Sequence, residues 1–356
     1  MGLLHEAKKL CATAPFTFKE ALINSAIPLS GRAGRAIQKR LSWRWGLLLI
    51  ILLAGLACAQ FARLDHSARQ NEARQKFGAV YMTTNNPFYE IIDEEIRTVV
   101  ENHGDVLISR NPALGADRQI EEIRGLIADG VRVLFINPVD GTQMAEVLQE
   151  ARAARVIVIA VDTNIAEEGY VAATVVSDNY RAGAQCAEHL IAHAESGRIA
   201  VLKHAQARSS QLRIEGFRAV LADHPAFQIV AEEECSGQLE IAMPVMAEMI
   251  AAHPEIDVVM ALNDPAAFGA IAALQNAGRS PEDTLVYGVD GAPESRELIR
   301  TGWMTATAVQ SPRRIGRMAA EEAYRILAGE AAESVVLPTR LLTRETLDEN
   351  DGGGWD

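Results

Sequence analysis

From Phe77 onward the chain alternates short, uninterrupted apolar runs with amphipathic segments, and this pattern constrains the fold more than any other feature. Gly78–Thr83, Asp105–Ser109, Val131–Ile136 and Val156–Val161 read as strands. Their apolar residues are continuous rather than alternating, as expected of strands buried on both faces of a parallel sheet. Between them lie helix-period segments. Phe88–His103 carries Phe88, Ile92, Ile96 and Val99 on one stripe and stops at Gly104. Ala116–Asp129 turns Ile120, Ile123 and Ile127 inward and stops at Gly130, and Gln143–Ala154 follows. Parallel strands joined by right-handed helical crossovers make a doubly wound layer structure.

The period lapses over Asn164–Ala173 and then restarts. Strands are expected at Thr174–Ser177, Ile199–Leu202, Phe227–Ala231, Asp257–Ala261, Thr284–Val289, Ala306–Gln310 and Val335–Thr339. Helices are expected at Arg181–His193, Gln211–Ala222, Ile241–Ala252, Ala266–Ala277, Pro293–Arg300 and Arg313–Ala328. Two rounds of strand–helix alternation in a chain of 356 residues predict an α/β protein of two similar lobes, with the cleft between them as the default ligand site.

Polar residues recur where these strands end. Asn85 and Asn86 follow the first strand, with Pro87 placed for a first helical position and either Asn placed to cap the helix. Phe88 and Tyr89 lie beside them, so an amide and two aromatic rings meet at the carboxyl end of a strand, where open α/β sheets bind ligands. Asp162, Asn263-Asp264, Asp290 and Gln310 occupy the same phase at other strand ends. Each alone reads as a cap or turn residue; the repetition is what suggests a site. Arg213 stands near a helix start, either as a solvated base or as a fork of donors for vicinal hydroxyls. His204 is a strand-end histidine that reads as a loop residue. No G-x-G-x-x-G, P-loop, G-x-S-x-G or H-E-x-x-H motif is present, and no catalytic constellation emerges.

Charge and the amino terminus bear on partners. Residues 1–59 hold eight basic side chains against two acids, a surplus of six. The whole chain carries −13, so the remainder carries −19, which argues against nucleic acid as its partner. Trp45–Ala59 is a fifteen-residue apolar run behind Arg40 and Arg44, short of the ~20 residues of a membrane-spanning helix. It reads as the core of an export signal cleaved before Gln60, or as an uncleaved anchor, with lipidation at Cys58 a lesser alternative. Of the four cysteines, Cys186 and Cys235 belong to the exported part and are expected as two buried thiols, a single bridge being the less favoured alternative.

The motifs Asn85-Asn86-Pro87-Phe88-Tyr89, Phe135-Ile136-Asn137-Pro138, Ala160-Val161-Asp162, Arg213 ahead of Glu215-Gly216-Phe217, Leu262-Asn263-Asp264, Gly288-Val289-Asp290-Gly291 and Val309-Gln310 resemble the ribose-binding branch of periplasmic sugar-binding proteins. The resemblance runs from about Phe77 to Leu347. It implies a type I solute-binding fold: two doubly wound parallel-sheet lobes joined by three hinge strands near Ser177, Gln310 and Thr339. It implies an amino-terminal lobe of 61–177 with 311–338, a carboxy-terminal lobe of 178–310 with 339–349, a segment 1–60 for export or anchoring, and a flexible tail 350–356. A monomeric, periplasmic or otherwise extracytoplasmic, non-enzymatic protein is implied, without cofactor or metal. It would pass a sugar or polyol to an ABC permease, or report it to a chemoreceptor or sensor kinase. By the same resemblance Asn86, Asp162, Arg213, Asn263, Asp290 and Gln310 would bond hydroxyls, while Phe88 and Tyr89 would cover the ring. Two positions depart from the family pattern. Thr163 replaces an Arg, and Gly237 stands where an aromatic ring is usual. Both changes enlarge and re-polarise the pocket. They point away from ribose toward another pentose or hexose, a sugar alcohol, a cyclitol or a furanose-like signal molecule.

Overall fold

A computed structural model describes residues 74–166 and 168–347, together with Gln60 and Trp355. The basic segment, the apolar run and most of the expected tail lie outside the described residues. The first lobe begins with β1 (Lys76–Val80), α1 (Pro87–Asn102), β2 (Val106–Arg110) and α2 (Ala116–Ala128). It continues through β3 (Val133–Ile136), α3 (Ala145–Ala153), β4 (Ile157–Val161), a 3-10 turn at Glu168–Tyr170 and β5 (Ala173–Ser177). The second lobe runs through α4 (Asn179–His193), β6 (Gly197–Lys203), α5 (Arg208–Leu221), β7 (Phe227–Glu234), α6 (Leu239–Ala252) and β8 (Val258–Ala261). It then adds α7 (Asp264–Asn276), β9 (Leu285–Asp290), α8 (Pro293–Thr301) and β10 (Ala306–Val309). Helix α9 (Pro312–Leu327) returns to pack on α1 and β5. It leads to β11 (Val335–Leu337), and β12 (Arg340–Thr343) closes the second sheet.

The first sheet has the order β11-β5-β4-β3-β1-β2 and is wholly parallel. The second has the order β12-β10-β9-β8-β6-β7, with only β12 antiparallel, to β10. Apart from the edge strands, the two lobes share one winding, with the strand order reversing between β1 and β3 in one and between β6 and β8 in the other. At such a reversal, neighbouring loops leave toward opposite faces and open a crevice at the carboxyl ends. The chain passes between the sheets after β5, after β10 and after β11. Each sheet is covered on both faces by apolar clusters, which is why its central strands are largely apolar along their length.

Several details differ from the sequence reading. The buried stripe of α1 ends at Val100 instead of Val99, which is only partly buried, and α2 buries Gln119, Ile123 and Leu126 while Ile120 and Ile127 sit at its margin. Three to four residues per turn leave such neighbours nearly equivalent in a sequence. The expected strand Val335–Thr339 stops at Leu337, ahead of Pro338, which has no N–H to continue a ladder, and a strand the sequence reading did not expect, Arg340–Thr343, follows in the other sheet. Cys186 and Cys235 are both buried and unbridged.

Candidate functional site

The two helix starts that face the crevice are built alike. Asn86 caps α1, its Oδ1 accepting from the Phe88 N–H at 3.0 Å, with Pro87 at the first helical position. Asn263 caps α7, its Oδ1 accepting from the Ala266 N–H at 3.0 Å, while its Nδ2 donates to the Gly237 carbonyl at 3.1 Å. Each Asn spends its oxygen on the helix, so its amide N–H is what it can offer a ligand. Phe88 and Tyr89 are both buried and meet edge to face, with centroids 5.7 Å apart.

The charged groups come from two other strand ends and from helix α5. Asp162 follows β4 in the left-handed region (φ 64°), and its Oδ2 accepts from Asn137 Nδ2 at 3.1 Å. Asp290 ends β9 (φ 143°), and its Oδ1 accepts from Gln310 Nε2 at 2.8 Å and faces Arg213 Nη1 at 3.8 Å. Arg213 is no solvated helix base. It is 3% exposed, with Nε donating to Asn179 Oδ1 at 2.7 Å and Nη1 to the Leu262 carbonyl at 2.7 Å. Its position depends on two glycines. A Cβ at Gly183 would lie 1.7 Å from the Arg213 carbonyl oxygen, and one at Gly216 would lie 2.0 Å from that of Tyr180. Helices α4 and α5 therefore touch backbone to backbone, and Arg213 is carried into the crevice.

These side chains line one small cavity of about 20 Å³. Of the nine residues expected in the site, Asn86, Phe88, Tyr89, Asp162, Arg213, Asn263, Asp290 and Gln310 line it. Thr163 does not. It is fully buried behind Asp162, its hydroxyl 2.9 Å from Ser209 Oγ, so it ties the end of β4 to α5 in the other lobe. The left-handed turn at Asp162 rotates the next residue away from the cavity, which spacing alone does not reveal. Gly237 does line the cavity, at φ +65°, and a Cβ there would come within 2.9 Å of Asn263 Nδ2.

Sequence reading missed Gln238, Met82 and Ser209 in the wall, and Asn179 behind Arg213. None stands in a pattern that separates it from an ordinary loop or cap residue. His204 also lines the wall. It is buried, its backbone N–H donates to Ser210 Oγ at 3.0 Å, and burial pushes the imidazole below its usual range against the opposing pull of Glu234 and Asp140. Asp264 lies behind the site as a structural post. Its carboxylate accepts from Ser295 Oγ, Thr307 Oγ1 and the Ala292 N–H at 2.6–2.8 Å.

Electrostatically the cavity is short of donors. Burial raises Asp162 above the usual carboxylate range despite Arg213. Burial raises Asp290 further, with Arg213 opposing and Asp264 and Asp162 adding to the rise. Asp162 Oδ1, Asp290 Oδ2 and Gln310 Oε1 are buried and have no hydrogen-bond partner. Three orphaned acceptors converging on one cavity is an arrangement that a donor-rich ligand completes. Ser209 and His204 form no nucleophile–base pair, since the Ser209 hydroxyl is bonded to Thr163. Among the described residues no group of three or more His, Cys, Asp or Glu is placed to hold a metal ion.

The family model described as periplasmic binding protein domain matches residues 77–331. The ribose import binding protein RbsB of Bacillus subtilis (strain 168) is 29% identical over 301 residues, covering 84% of this chain and 96% of its own. Among solved structures, the Caulobacter myo-inositol binding protein bound to myo-inositol superposes with a TM-score of 0.73 at 26% identity, over 78% of this chain and 96% of that one. The periplasmic binding protein component of the arabinose ABC transporter from Shewanella sp. ANA-3, bound to α- and β-L-arabinofuranose, gives 0.72 at 25% identity, over 77% and 94%.

Proposed function

This chain belongs to the periplasmic binding protein family, and we propose that it captures a sugar or sugar-like polyol between its lobes and delivers it to an ABC-type permease outside the cytoplasm. The observation that carries this reading is the set of three unpartnered acceptors, Asp162 Oδ1, Asp290 Oδ2 and Gln310 Oε1, around one cavity. Hydroxyls are the donors that suit them, and bonds to charged acceptors contribute ~1.5–3 kcal/mol each. Asn86 and Asn263 supply amide donors to hydroxyl lone pairs, Arg213 supports Asp290, and Phe88 and Tyr89 cover C–H faces.

Because the acceptors come from both lobes, the full set of contacts exists only when the lobes meet. Ligand thus supplies the free energy of closure, with the crossings near Ser177, Gln310 and Thr339 as hinges. The relatives' ligands, ribose, myo-inositol and arabinofuranose, are all polyhydroxylated and uncharged, which agrees with this chemistry. Members of the family are binding proteins, so no turnover is expected, and the working unit is a monomer. The apolar run at Trp45–Ala59 favours one second reading, a binding protein kept at the membrane that reports to a receptor or kinase.

A thermal-shift screen against pentoses, hexoses, sugar alcohols, cyclitols and nucleosides tests the proposal. A ligand at ~100 times its dissociation constant adds roughly 2.7 kcal/mol of stability. One strong hit is expected; a flat response across the panel refutes the carbohydrate reading.

A further inference from the structure

A buried hydrogen bond joins the two lobes directly behind the cavity wall. Thr163 stands just beyond the end of β4 in the first sheet. Ser209 lies in the first turn of α5, which packs on α4 and on β6 of the second sheet. Their hydroxyl oxygens are 2.9 Å apart, with Thr163 fully buried and Ser209 5% exposed. Thr163 Oγ1 also donates to Asp162 Oδ2 over a longer 3.4 Å, and Asn137 Nδ2 donates to the same oxygen at 3.1 Å. An ionised carboxylate only accepts, and a threonine hydroxyl has one proton. With that proton given to Asp162, it is Ser209 that donates to Thr163. The bonds therefore run in series from Ser209 to Thr163 to Asp162 Oδ2, and Asp162 Oδ1 is left unpartnered at the cavity. The first member comes from the second lobe and the other two from the first.

We propose that Thr163 and Ser209 are positioning residues that latch the lobes: they meet only when the cleft is closed, and their bond holds the Asp162 carboxylate toward the ligand and slows the ligand's escape. The inference rests on the lobe closure proposed above. Its dependence on closure follows from where the two residues are fixed. Each is held to a different sheet by the element it adjoins, and neither belongs to the crossings after β5, β10 and β11. Rotation of the lobes about those crossings carries Ser209 away from Thr163, and a further ~1 Å is enough to break a bond of this length. Both hydroxyls then turn to water, so the latch is worth the net of one hydrogen bond, roughly 2- to 10-fold in the closed-to-open ratio. Thr163, which does not line the cavity, so serves the site through the other lobe.

The test measures interlobe distance in the full chain by double electron–electron resonance, without ligand. Nitroxides are placed on Glu121→Cys in the first lobe and Glu248→Cys in the second, both exposed, with Cys11 and Cys58 changed to Ser; Cys186 and Cys235 are buried away from label. Thr163→Val and Ser209→Ala are each expected to move the distribution toward longer distances and lower the closed-to-open ratio roughly 2- to 10-fold. Because both break the same bond, the double variant should lower the ratio no further than the larger single effect, and Thr163→Ser, which keeps the hydroxyl, should retain most of it. Distributions identical to wild type in both single variants, or effects that multiply in the double variant, overturn the latch. A second arm follows stopped-flow binding of D-ribose, L-arabinose and myo-inositol. For a sugar that binds, dissociation should be faster in Thr163→Val with association unchanged; an unchanged dissociation rate overturns the latch. If no member of the thermal-shift panel binds while the distances respond to Thr163→Val and Ser209→Ala, the latch stands and the sugar reading is what fails.

Discussion

Replacing Asp290 by Asn separates a ligand-contacting carboxylate from a structural one. The side chain is 2% exposed, takes a 2.8 Å bond from Gln310 Nε2 on Oδ1, and leaves Oδ2 unpartnered in the cavity. The amide keeps the shape, retains one acceptor for Gln310, and turns the ligand-facing acceptor into a donor. The charge-assisted bond to a hydroxyl is lost, at ~1.5–3 kcal/mol. At ~1.4 kcal/mol per factor of ten, affinity falls about 10- to 140-fold. Stability without ligand moves the other way. Burial first, then Asp264 and Asp162, hold the Asp290 carboxyl well above the usual range, against Arg213. The native state thus binds the proton more tightly than the unfolded chain. This term favours folding on the acid side and is lost as pH rises from the ordinary carboxylate range through the raised native pKa. Asparagine has no such loss. The ligand-free variant should melt at or above wild type at pH 7, with the gap narrowing toward pH 4. Titration calorimetry against the ligand found in the thermal screen, with melting curves at both pH values, checks both halves. Affinity within twofold of wild type, or a variant melting many degrees lower, would refute the reasoning.

Three further outcomes follow from the same geometry. Gly237→Ala adds a Cβ 2.9 Å from Asn263 Nδ2 in a left-handed backbone, at ~1–2 kcal/mol. The melting temperature should drop by a few degrees and affinity should weaken as Asn263 is displaced; wild-type values for both would contradict the placement. Two carboxylates face the cavity against one guanidinium, so the uronic acid of any sugar that binds should bind at least about tenfold more weakly at pH 7, measured by competition. Equal affinity would show that the acids do not read the ligand. Burial pushes both the Cys186 and Cys235 thiols up to about 12. Neither should take up iodoacetamide at pH 8 in the native protein, and both should do so in denaturant, by peptide mass mapping; native labelling would contradict their burial.

What the chain determines locally is legible in the order of its residues. Apolar runs of strand length, helix-period segments, Gly104 and Gly130 at helix ends, and the Asn86-Pro87 start report short-range physics, and the elements form close to where they predict. Their boundaries shift where neighbouring residues are equivalent on a helix, as with Val99 and Val100.

The site divides along the same line. That polar residues close successive strands is a sequence pattern, because parallel winding brings every such end to one side. Which of them line the cavity depended on packing between distant segments. Thr163 is turned aside by the left-handed Asp162 and spent on Ser209. Arg213 reaches the cavity because Gly183 and Gly216 let two helices touch. The chain ends one strand at Leu337, before Pro338, and starts another in the other sheet at Arg340. Trp355 meets Phe88 from 267 positions away in the chain. Hydrogen-bond satisfaction is a property of the assembled interior, so the three orphaned acceptors that identify the cavity could be counted only once every competing donor had been placed.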